Sequence, residues 1–206
     1  MTAGQDAQEW DRRYAGSERI WSASPNAWVA ATIGTWTPGR ALDLGAGEGR
    51  HGVWLASLGW QVSAVDFSAV GIERGRHAAS EAGVQIDWVV ADLRTWRPPP
   101  GATFDLVLVA YVHLADEVLA RAREWLAPGG ALVVVGHALR NLAEGVGGPS
   151  DARLLHTESG YRAGSKGLQV EQLGEVVRHL PGGDAIDLVL VARRGETTPE
   201  QEKEQP

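Results

Sequence analysis

Short apolar runs alternate with segments of helical periodicity along most of the 206-residue chain. This alternation is typical of a parallel sheet whose strands are joined by helices. The runs at 104–109 and 131–135 are almost entirely apolar, which indicates strands that are covered on both faces. The five runs that predict parallel strands cover residues 40–44, 61–66, 85–90, 104–109 and 131–135.

Helices are predicted between these strands by apolar faces and by glycine at the ends. Residues 50–58 and 68–82 each stop at a glycine that can form a left-handed cap. Residues 116–126 place an apolar stripe on one face and stop at Pro128-Gly129-Gly130.

The last third of the chain has a different pattern. Residues 168–179 and 184–192 predict two strands that are separated by Pro181-Gly182-Gly183, which is typical of a hairpin. Residues 145–167 are rich in Gly, Ser and charge, and they predict a mobile loop that holds one short helix.

Together these patterns predict an α/β fold with a doubly wound, Rossmann-like, mostly parallel sheet of about seven strands and an antiparallel last strand. Residues 1–195 are expected to form a single domain, which begins with an aromatic helical lid segment over residues 1–36. The polar residues 196–206 are expected to be a disordered acidic tail.

Composition and charge exclude several classes of function. The net charge is -7 and no cluster of Lys and Arg is present, so we expect no nucleic-acid partner. The chain has no cysteine, which excludes disulfides, thiolate metal sites and a cysteine nucleophile. No apolar run approaches the ~20 residues of a membrane span, and the N-terminus lacks the layout of a signal peptide. We therefore expect no membrane partner and a cytoplasmic location.

The most informative segment is Leu42-Asp43-Leu44-Gly45-Ala46-Gly47-Glu48-Gly49, which follows a predicted strand and opens a predicted helix. Glycines there allow a tight turn and a close approach of the backbone to a ligand. The dinucleotide fingerprint is G-x-G-x-x-G, whereas the third glycine here, Gly49, comes one residue early. Asp43 beside the loop would repel a pyrophosphate but suits a cationic ligand. Asp66 ends the next predicted strand, where a carboxylate can accept hydrogen bonds from ribose hydroxyls.

With these residues the chain resembles the class I S-adenosylmethionine-dependent methyltransferases, from about residue 10 to residue 195. The cofactor of that family carries a positively charged sulfonium and an ammonium group. The negative charge of Asp43 beside the loop favours such a ligand. The segments that carry the resemblance are 43–49, 65–68, 91–93, 104–107 and 126–130.

The resemblance implies a set of cofactor contacts. In that family the glycine loop holds the amino-acid part of the cofactor, and an acid after the second strand holds the ribose. Residues after the second and third strands contact adenine, and backbone at the end of the fourth strand meets the ammonium. The matching positions are Asp43, Gly45, Ala46, Gly47, Asp66, Phe67, Asp92, Leu93, Val109 and Ala110.

Aromatic residues crowd the N-terminal segment. Trp10 and Tyr14 are four apart and share a helix face, which either packs on the sheet or covers the cofactor. Residues 10–14, Trp21 and Pro25-Asn26 resemble the opening of the thiol, thiopurine and tellurite methyltransferase-like branch. That resemblance implies cofactor contacts for Trp10 and Tyr14 and a substrate contact for Trp21.

Polar residues after the fourth and fifth predicted strands are the candidates for chemistry, because doubly wound sheets bind ligands at this edge. His137 is the first candidate for a polar contact with substrate or a catalytic group, and His113 is the second. The alternative for both is a histidine bonded to backbone. Tyr111, Arg140 and Asn141 are expected to contact substrate.

The remaining histidines are expected to have no role in catalysis. His51, in the helix after the glycine loop, is expected to be structural, and His77, His156 and His179 are expected to be exposed. No set of His, Asp and Glu shows the spacing of metal ligands, so we expect no metal.

The predicted function is in-line transfer of a methyl group from S-adenosylmethionine to an S, O or N nucleophile of a small molecule, by a monomer or homodimer. S-adenosylhomocysteine would be the product. One alternative is an NAD-dependent oxidoreductase of the short-chain kind, which needs Tyr and Lys four apart, whereas Tyr161 and Lys166 are five apart. A second alternative is a module that binds S-adenosylmethionine without chemistry.

Overall fold

A seven-stranded sheet forms the centre of the structure, a computed structural model that describes residues 7–16, 24–113 and 115–196. The strands are β1 (Arg40–Leu44), β2 (Gln61–Asp66), β3 (Asp87–Val90), β4 (Phe104–Ala110), β5 (Leu126–His137), β6 (Gln169–Leu180) and β7 (Gly183–Arg193).

The strand order is β3-β2-β1-β4-β5-β7-β6, and the first five of these strands are parallel. Strand β7 runs antiparallel to both β5 and β6. The chain winds outward in one direction from β1 and in the other from β4, so the topological switch lies between these two strands. In open sheets of this kind, ligands bind beyond the carboxyl ends of the strands at the switch.

Helices connect the strands and cover the two faces. They are α1 (Ala7–Ala15), α2 (Ala27–Ile33), α3 (Arg50–Ser57), α4 (Ala69–Glu81), α5 (Ala115–Ala122), α6 (Asn141–Glu144) and α7 (Glu158–Gly164).

The central strands are buried on both faces. Val107 of β4 packs in the apolar layer that includes Leu119 of α5, whereas the next residue, Leu108, packs in the opposite layer with Leu55 of α3. Successive residues of one strand thus enter different layers, as the pleat of a strand requires. The apolar runs of the sequence are explained by this double burial.

The predicted fold class is confirmed, including the antiparallel last strand and the hairpin between β6 and β7. The largest difference in boundaries lies at α5, which stops at Ala122 and is followed by a 3-10 turn over Arg123–Trp125. Leu126 then pairs with Phe104, so β5 begins at Leu126 rather than at residue 131. Sheet pairing of Leu126 therefore ends the helix earlier than its apolar stripe indicated.

The segment 145–167, which was predicted as a loop, is packed against the sheet. Its helix α7 fully buries Tyr161, and Gly164 lies against Leu119 of α5. The expectation that His156 is exposed was wrong, because it is buried with its ring 5.3 Å from that of Tyr161. Burial lowers the pKa of His156 to about 4.

Candidate functional site

The glycine loop between β1 and α3 is attached to the end of β2. The backbone N–H groups of Gly45 and Ala46 donate to Val65 O at 2.8 and 3.1 Å. Gly45 and Gly47 have φ values of 74° and 54°, in the left-handed region that favours glycine. The loop thus turns tightly at the carboxyl edge of the sheet, where it faces the switch between β1 and β4.

Asp66 connects the glycine loop to the turn that follows β2. Its Oδ2 accepts a 2.9 Å hydrogen bond from Gly47 N, and its Oδ1 accepts a 2.8 Å bond from Ser68 N. Burial raises the pKa of the Asp66 carboxyl although these backbone bonds oppose the shift. The carboxyl group that was predicted to hold a ribose therefore also fixes the shape of the glycine loop.

Asp43 lies beneath the loop rather than on the surface of the cleft. It is completely buried, and its Oδ2 has no hydrogen-bond partner among the described residues. Burial raises the pKa of Asp43 to about 7, with a further contribution from the charge of Asp66. In its ionised form this carboxylate places negative potential behind the glycine loop, which attracts a cation, and a bound cation would in turn favour the ionised form.

Helix α1 is fastened across this edge by Asp11. The Asp11 carboxylate accepts hydrogen bonds from the Ser68 hydroxyl and, at 3.2 Å, from Val70 N. The Ser68 hydroxyl in turn accepts from Gly71 N at 3.0 Å, so two side chains cap the N-terminus of α4. Helix α1 therefore covers the glycine loop from one side.

Tyr14 fills the gap between α1 and the glycine loop. It is 3% exposed, and a Cβ atom added to Gly47 would collide with its hydroxyl. A Cβ on Gly71 of α4 would lie 3.0 Å from the Tyr14 ring. Glycine at both positions is thus required for the close approach of the α1 aromatic side chain.

A cleft opens between the glycine loop, the ends of β2 to β4, and α1, with about 950 Å³ of empty space including its mouth. We call it the first cleft. It is lined by Trp10, Tyr14, Gly45, Ala46, Gly47, Glu48, Arg50, His51, Asp66, Phe67, Asp92, Leu93, Arg94, Ala110, Tyr111, Val112 and His113.

Most of the predicted cofactor positions meet in the first cleft, with two exceptions. Asp43 lies behind its floor, and Val109 is fully buried in the core while its neighbour Ala110 lines the wall. Asp92 lies at the half-exposed rim and holds Arg94 in a two-pronged ion pair of 2.6 and 2.9 Å. The Arg94 bonds lower the pKa of Asp92.

A second cleft adjoins the first and encloses about 800 Å³ of empty space including its opening. Arg50 and Tyr111 line both clefts and form the wall between them. The residues around the second cleft are Pro25, Asn26, Ala27, Arg50, Tyr111, His137, Val146, Gly147, Gly148, Arg178 and Leu180.

Tyr111 in this wall has an unusual backbone. Its φ is 57°, and it is the one residue other than glycine with positive φ in the described part of the chain. Such a conformation costs about 1–3 kcal/mol and persists where the surroundings enforce it. Here Tyr111 N donates a 2.7 Å bond to Val135 O, which holds the strained residue at the end of β4.

The Tyr111 hydroxyl joins a buried polar network centred on Asp187 of β7. It donates to Asp187 Oδ2 at 2.6 Å and accepts from Asn26 Nδ2 at 2.8 Å. Arg178 Nε donates to the same Oδ2 at 2.9 Å. Burial opposes ionisation of Asp187, but the contact with His137 and the hydrogen bonds from Arg178 and Tyr111 outweigh burial and lower its pKa.

His137 lies at the edge of this network. Its Nδ1 is 3.3 Å from Asp187 Oδ1, and its ring centroid is 5.0 Å from that of Tyr111. On its other side a Cβ atom on Gly148 would come within 2.9 Å of the ring. The carboxylate, the tyrosine and the glycine together fix the orientation of the imidazole in the second cleft.

His113, the second catalytic candidate, lies in the first cleft instead. Its ring is 6.5 Å from that of Trp10, and burial together with the charges of His137 and Arg13 lowers its pKa. His51 is buried and its Nε2 accepts the backbone N–H of Asn26 at 3.2 Å, which supports the structural role expected of it.

Three predicted substrate contacts lie outside both clefts or outside the described residues. Arg140 is exposed and pairs with Glu144 and Glu175. Asn141 is 2% exposed, and its amide bonds to Ile186 N and Gly147 O. Trp21 falls in residues 17–23, which the structure does not describe.

Sequence reasoning missed Arg50 and Arg178, which line the second cleft, and Asp187, which binds Arg178. Asn26 was noted only as part of the segment that resembles the opening of the thiol, thiopurine and tellurite methyltransferase-like branch. Asp187 stands within an apolar strand, and one buried acid in such a run was the only available signal. Charged residues that interrupt an otherwise apolar strand are mostly paired when buried.

Comparisons with known proteins agree with this geometry. Residues 41–130 match the family model described as a methyltransferase domain. The chain is 36% identical over 99 residues to the ubiquinone biosynthesis O-methyltransferase of Caulobacter sp. (strain K31), covering 46% of this chain and 39% of that protein. It is 32% identical over 106 residues to the ribosomal RNA small subunit methyltransferase C of Alcanivorax borkumensis, covering 48% and 32%. The matches thus span less than half the length of these relatives.

Among solved structures, the fold is similar to that of the N-methyltransferase NodS from Bradyrhizobium japonicum WM9 in complex with S-adenosyl-L-homocysteine. The TM-score is 0.72 at 17% identity, and the alignment covers 93% of this chain and all of that one (100%). At this identity the likeness establishes the fold.

None of the helices in the described residues has the length and apolar character to cross a membrane. No group of three or more His, Asp or Glu side chains in the described ranges is arranged to hold a metal ion.

Proposed function

We propose that this chain, whose residues 41–130 match a methyltransferase domain model, is an S-adenosylmethionine-dependent methyltransferase that acts on a small molecule. One observation carries the proposal. Gly47, Asp66, Asp92 and Ala110 come from four separate segments, and they meet in the first cleft under the aromatic helix α1.

The residues of the first cleft fit this cofactor. Asp66 and Asp92 supply carboxylates on the side of Phe67 and Leu93, which suits a ribose and an adenine ring. Trp10 and Tyr14 present aromatic rings 5.7 Å apart on the other side, and aromatic faces attract a sulfonium. The orphaned Asp43 oxygen behind the glycine loop adds negative potential near the amino-acid end. When bound, S-adenosylmethionine supplies a methyl group activated by its sulfonium.

The second cleft is proposed to hold the methyl acceptor. Arg50 and Tyr111 are shared by the two clefts, so an acceptor in the second cleft lies next to the first. The wall can therefore orient a nucleophile in line with the bond to be broken, which is the main requirement of a displacement reaction. Helix α1 excludes water from the opposite side.

His137 is proposed as the base that takes the proton of the acceptor. With Nδ1 facing Asp187 Oδ1 at 3.3 Å, the ring proton is favoured on Nδ1, which leaves Nε2 as the atom that accepts a proton. Asp187 acts as a positioning residue, since it touches His137, Tyr111 and Arg178. We also propose that His113, which lines the first cleft, contacts the ligand bound there.

Calorimetric titration tests the cofactor assignment. The protein is expected to bind S-adenosylhomocysteine and to give no heat with NAD. Asp66→Ala is expected to weaken S-adenosylhomocysteine binding, because it removes both a proposed ligand contact and the bond to Gly47 N. Arg162→Gln, on the exposed face of α7, is the matched control and is expected to bind as the wild type does. NAD binding without S-adenosylhomocysteine binding would overturn the proposal in favour of an oxidoreductase.

Turnover of His137→Gln tests the proposed base. With a phenol or amine acceptor, kcat is expected to fall by about 10²–10⁴-fold and its dependence on pH to flatten. With a thiol acceptor, which ionises near neutral pH, the loss is expected to be much smaller. Equal losses for both acceptor classes would return His137 to a structural role.

A small acceptor is favoured over nucleic acid by two observations. The second cleft is bounded on several sides, and the net charge of -7 opposes binding of phosphate chains. The cytoplasmic location, the state as monomer or homodimer and the single domain over residues 1–195 remain part of this proposal.

A further inference from the structure

We propose that Arg121 of α5 is a positioning residue, which holds the turn over residues 91–96 in the shape that contacts the adenine ring and so makes the first cleft selective for that base. The inference rests on the proposed methyltransferase function, since it assigns a role to a residue that supports the same cofactor site from outside.

Arg121 joins α5 to the turn 91–96, which follows β3. Its Nη1 donates to Arg94 O at 2.6 Å, and its Nη2 donates to Leu93 O at 2.5 Å. The two carbonyl groups are consecutive in the chain and lie 27 and 28 residues before Arg121. Hydrogen bonds from a charged donor are stronger than neutral ones. One side chain therefore fixes two neighbouring peptide planes of the turn.

The turn 91–96 presents three side chains to the first cleft, those of Asp92, Leu93 and Arg94. At the start of the turn, Ala91 N donates to Asp66 O at 2.9 Å, which connects it to the end of β2. The sheet thus fixes the start of the turn, and Arg121 fixes its middle.

Helix α5 gives Arg121 a rigid base. Its neighbours on the helix, Leu119 and Ala122, are fully buried in one apolar layer, and Leu93 packs against the same layer. Arg121 Nε is itself buried and has no hydrogen-bond partner in the described ranges. The guanidinium is therefore seated on the core and can transmit the position of α5 to the turn. Arg121 does not line the first cleft, so it acts through the turn.

A fixed turn can distinguish purine bases by their edges. Adenine presents an amino group beside an acceptor nitrogen, whereas hypoxanthine presents an oxygen beside a protonated nitrogen. A site that matches one of these edges leaves polar groups unpaired against the other, which is the source of its selectivity. A loosened turn is expected to lose this selectivity although Asp92 and Leu93 remain, because the supporting contacts set the geometry.

Calorimetric titration with S-adenosylhomocysteine and S-inosylhomocysteine tests the inference without turnover. The two ligands differ only at the edge of the purine ring. The wild type is expected to bind S-adenosylhomocysteine at least about tenfold more tightly than the inosine analogue. Arg121→Met keeps an unbranched chain and removes the donors. It is expected to bind S-adenosylhomocysteine about tenfold more weakly and the analogue almost unchanged. Arg121→Lys, which can serve one carbonyl, is expected to retain part of the preference.

Arg123→Met is the matched control. Arg123 also donates to a main-chain carbonyl, Lys166 O at 2.6 Å, but this carbonyl belongs to the segment that leads into β6. The control is expected to bind both ligands as the wild type does. Amide hydrogen exchange over residues 92–96 is a second readout. It is expected to be faster in Arg121→Met and unchanged in the control.

The outcomes separate the two proposals. If the wild type does not bind S-adenosylhomocysteine, the proposed function fails and the inference fails with it. If it binds, but Arg121→Met weakens both ligands equally or keeps the full preference, only the role of Arg121 is overturned. Equal affinity of the wild type for the two ligands also overturns it, because the turn then does not distinguish the base. If Arg121→Met does not fold, an unchanged preference in Arg121→Lys overturns it.

Discussion

The hydroxyl of Tyr111 donates a 2.6 Å hydrogen bond to Asp187, 76 residues further along the chain. Tyr111 is strained in its backbone, and Asp187 is 1% exposed within an apolar strand. Neither feature is needed for a stable sheet, and each carries a cost that the bond between them offsets only in part. We therefore propose that the Tyr111–Asp187 pair serves the function of the two clefts, and the next prediction tests this role.

Tyr111→Phe keeps the ring and removes this bond. Because Asp187 retains Arg178 and His137, we expect the free energy of unfolding to fall by only about 1–2 kcal/mol. Turnover is expected to fall more than tenfold, while the affinity for S-adenosylhomocysteine changes little. Urea unfolding, a titration and a rate measurement on one preparation check the three quantities. A variant that loses cofactor affinity as strongly as it loses turnover would contradict the placement of Tyr111 on the acceptor side.

Gly47→Val is expected to abolish cofactor binding. The added side chain collides with the Tyr14 hydroxyl and requires a φ of 54° that valine rarely adopts. Gly83→Val is the matched control, because Gly83 also has positive φ, at 67°, but has open space around its Cβ position. The control is expected to lose stability and keep S-adenosylhomocysteine binding in a calorimetric titration. Normal binding by Gly47→Val would refute this placement of the glycine loop.

Asp43→Asn is expected to change how stability depends on pH. Burial raises the pKa of Asp43 from 3.8 to about 7, so between these values the native state holds a proton that the unfolded chain has released. Its contribution to the free energy of unfolding therefore decreases as pH rises through that window, by at most about 1.4 kcal/mol per unit. Asp66 adds a decrease of the same sign, because its pKa is also raised.

Urea unfolding of the ligand-free protein from pH 4 to pH 8 measures this effect. Asp43→Asn is expected to lose less stability across the window than the wild type does. Asp87→Asn, at an exposed strand position, serves as the control and is expected to follow the wild-type profile. Identical profiles for all three proteins would show that Asp43 does not carry this dependence.

Asp11→Ala is expected to loosen helix α1. The carboxylate caps Val70 N and binds the Ser68 hydroxyl, so its loss should lower the free energy of unfolding by about 1 kcal/mol. Affinity for S-adenosylhomocysteine is expected to decrease as well, since Trp10 and Tyr14 of the same helix line the first cleft. Arg12→Ala, on the exposed side of α1, should leave the affinity unchanged. Equal effects of the two variants would mean that Asp11 does not hold the helix in place.

The first cleft could be predicted from the sequence because its signals are local. A glycine loop, an acid at a strand end and an aromatic pair four residues apart each reveal their role within a short window. Parallel strands then place these windows at one edge of the sheet, which is why Gly47, Asp66 and Asp92 meet as expected. Asp43 was also identified, although it lies under the loop instead of in the wall.

The second cleft could not be predicted, because its signals depend on the register of distant strands. Asp187 is an acid within the apolar stretch of β7, and Arg178 is one of several charges on the exposed strand β6. Only the hairpin pairing brings the two residues together. Asn141 was expected to contact substrate because it follows β5, but its amide is used by the backbone of β7 and of its own loop. Proximity to a strand end does not reveal whether a side chain faces the ligand or fastens a loop.

The position of Asp187 on the last strand also bears on the order in which the protein can assemble during synthesis. The walls of the first cleft come from residues 10–113, whereas the partner of Tyr111 emerges only with β7. A nascent chain that ends before β7 contains every lining residue of the first cleft, yet it lacks the partner of the Tyr111 hydroxyl and of His137. Long-range pairing of this kind is slow to form. The network that orients Tyr111 and His137 can therefore be completed only after β7 has been synthesised.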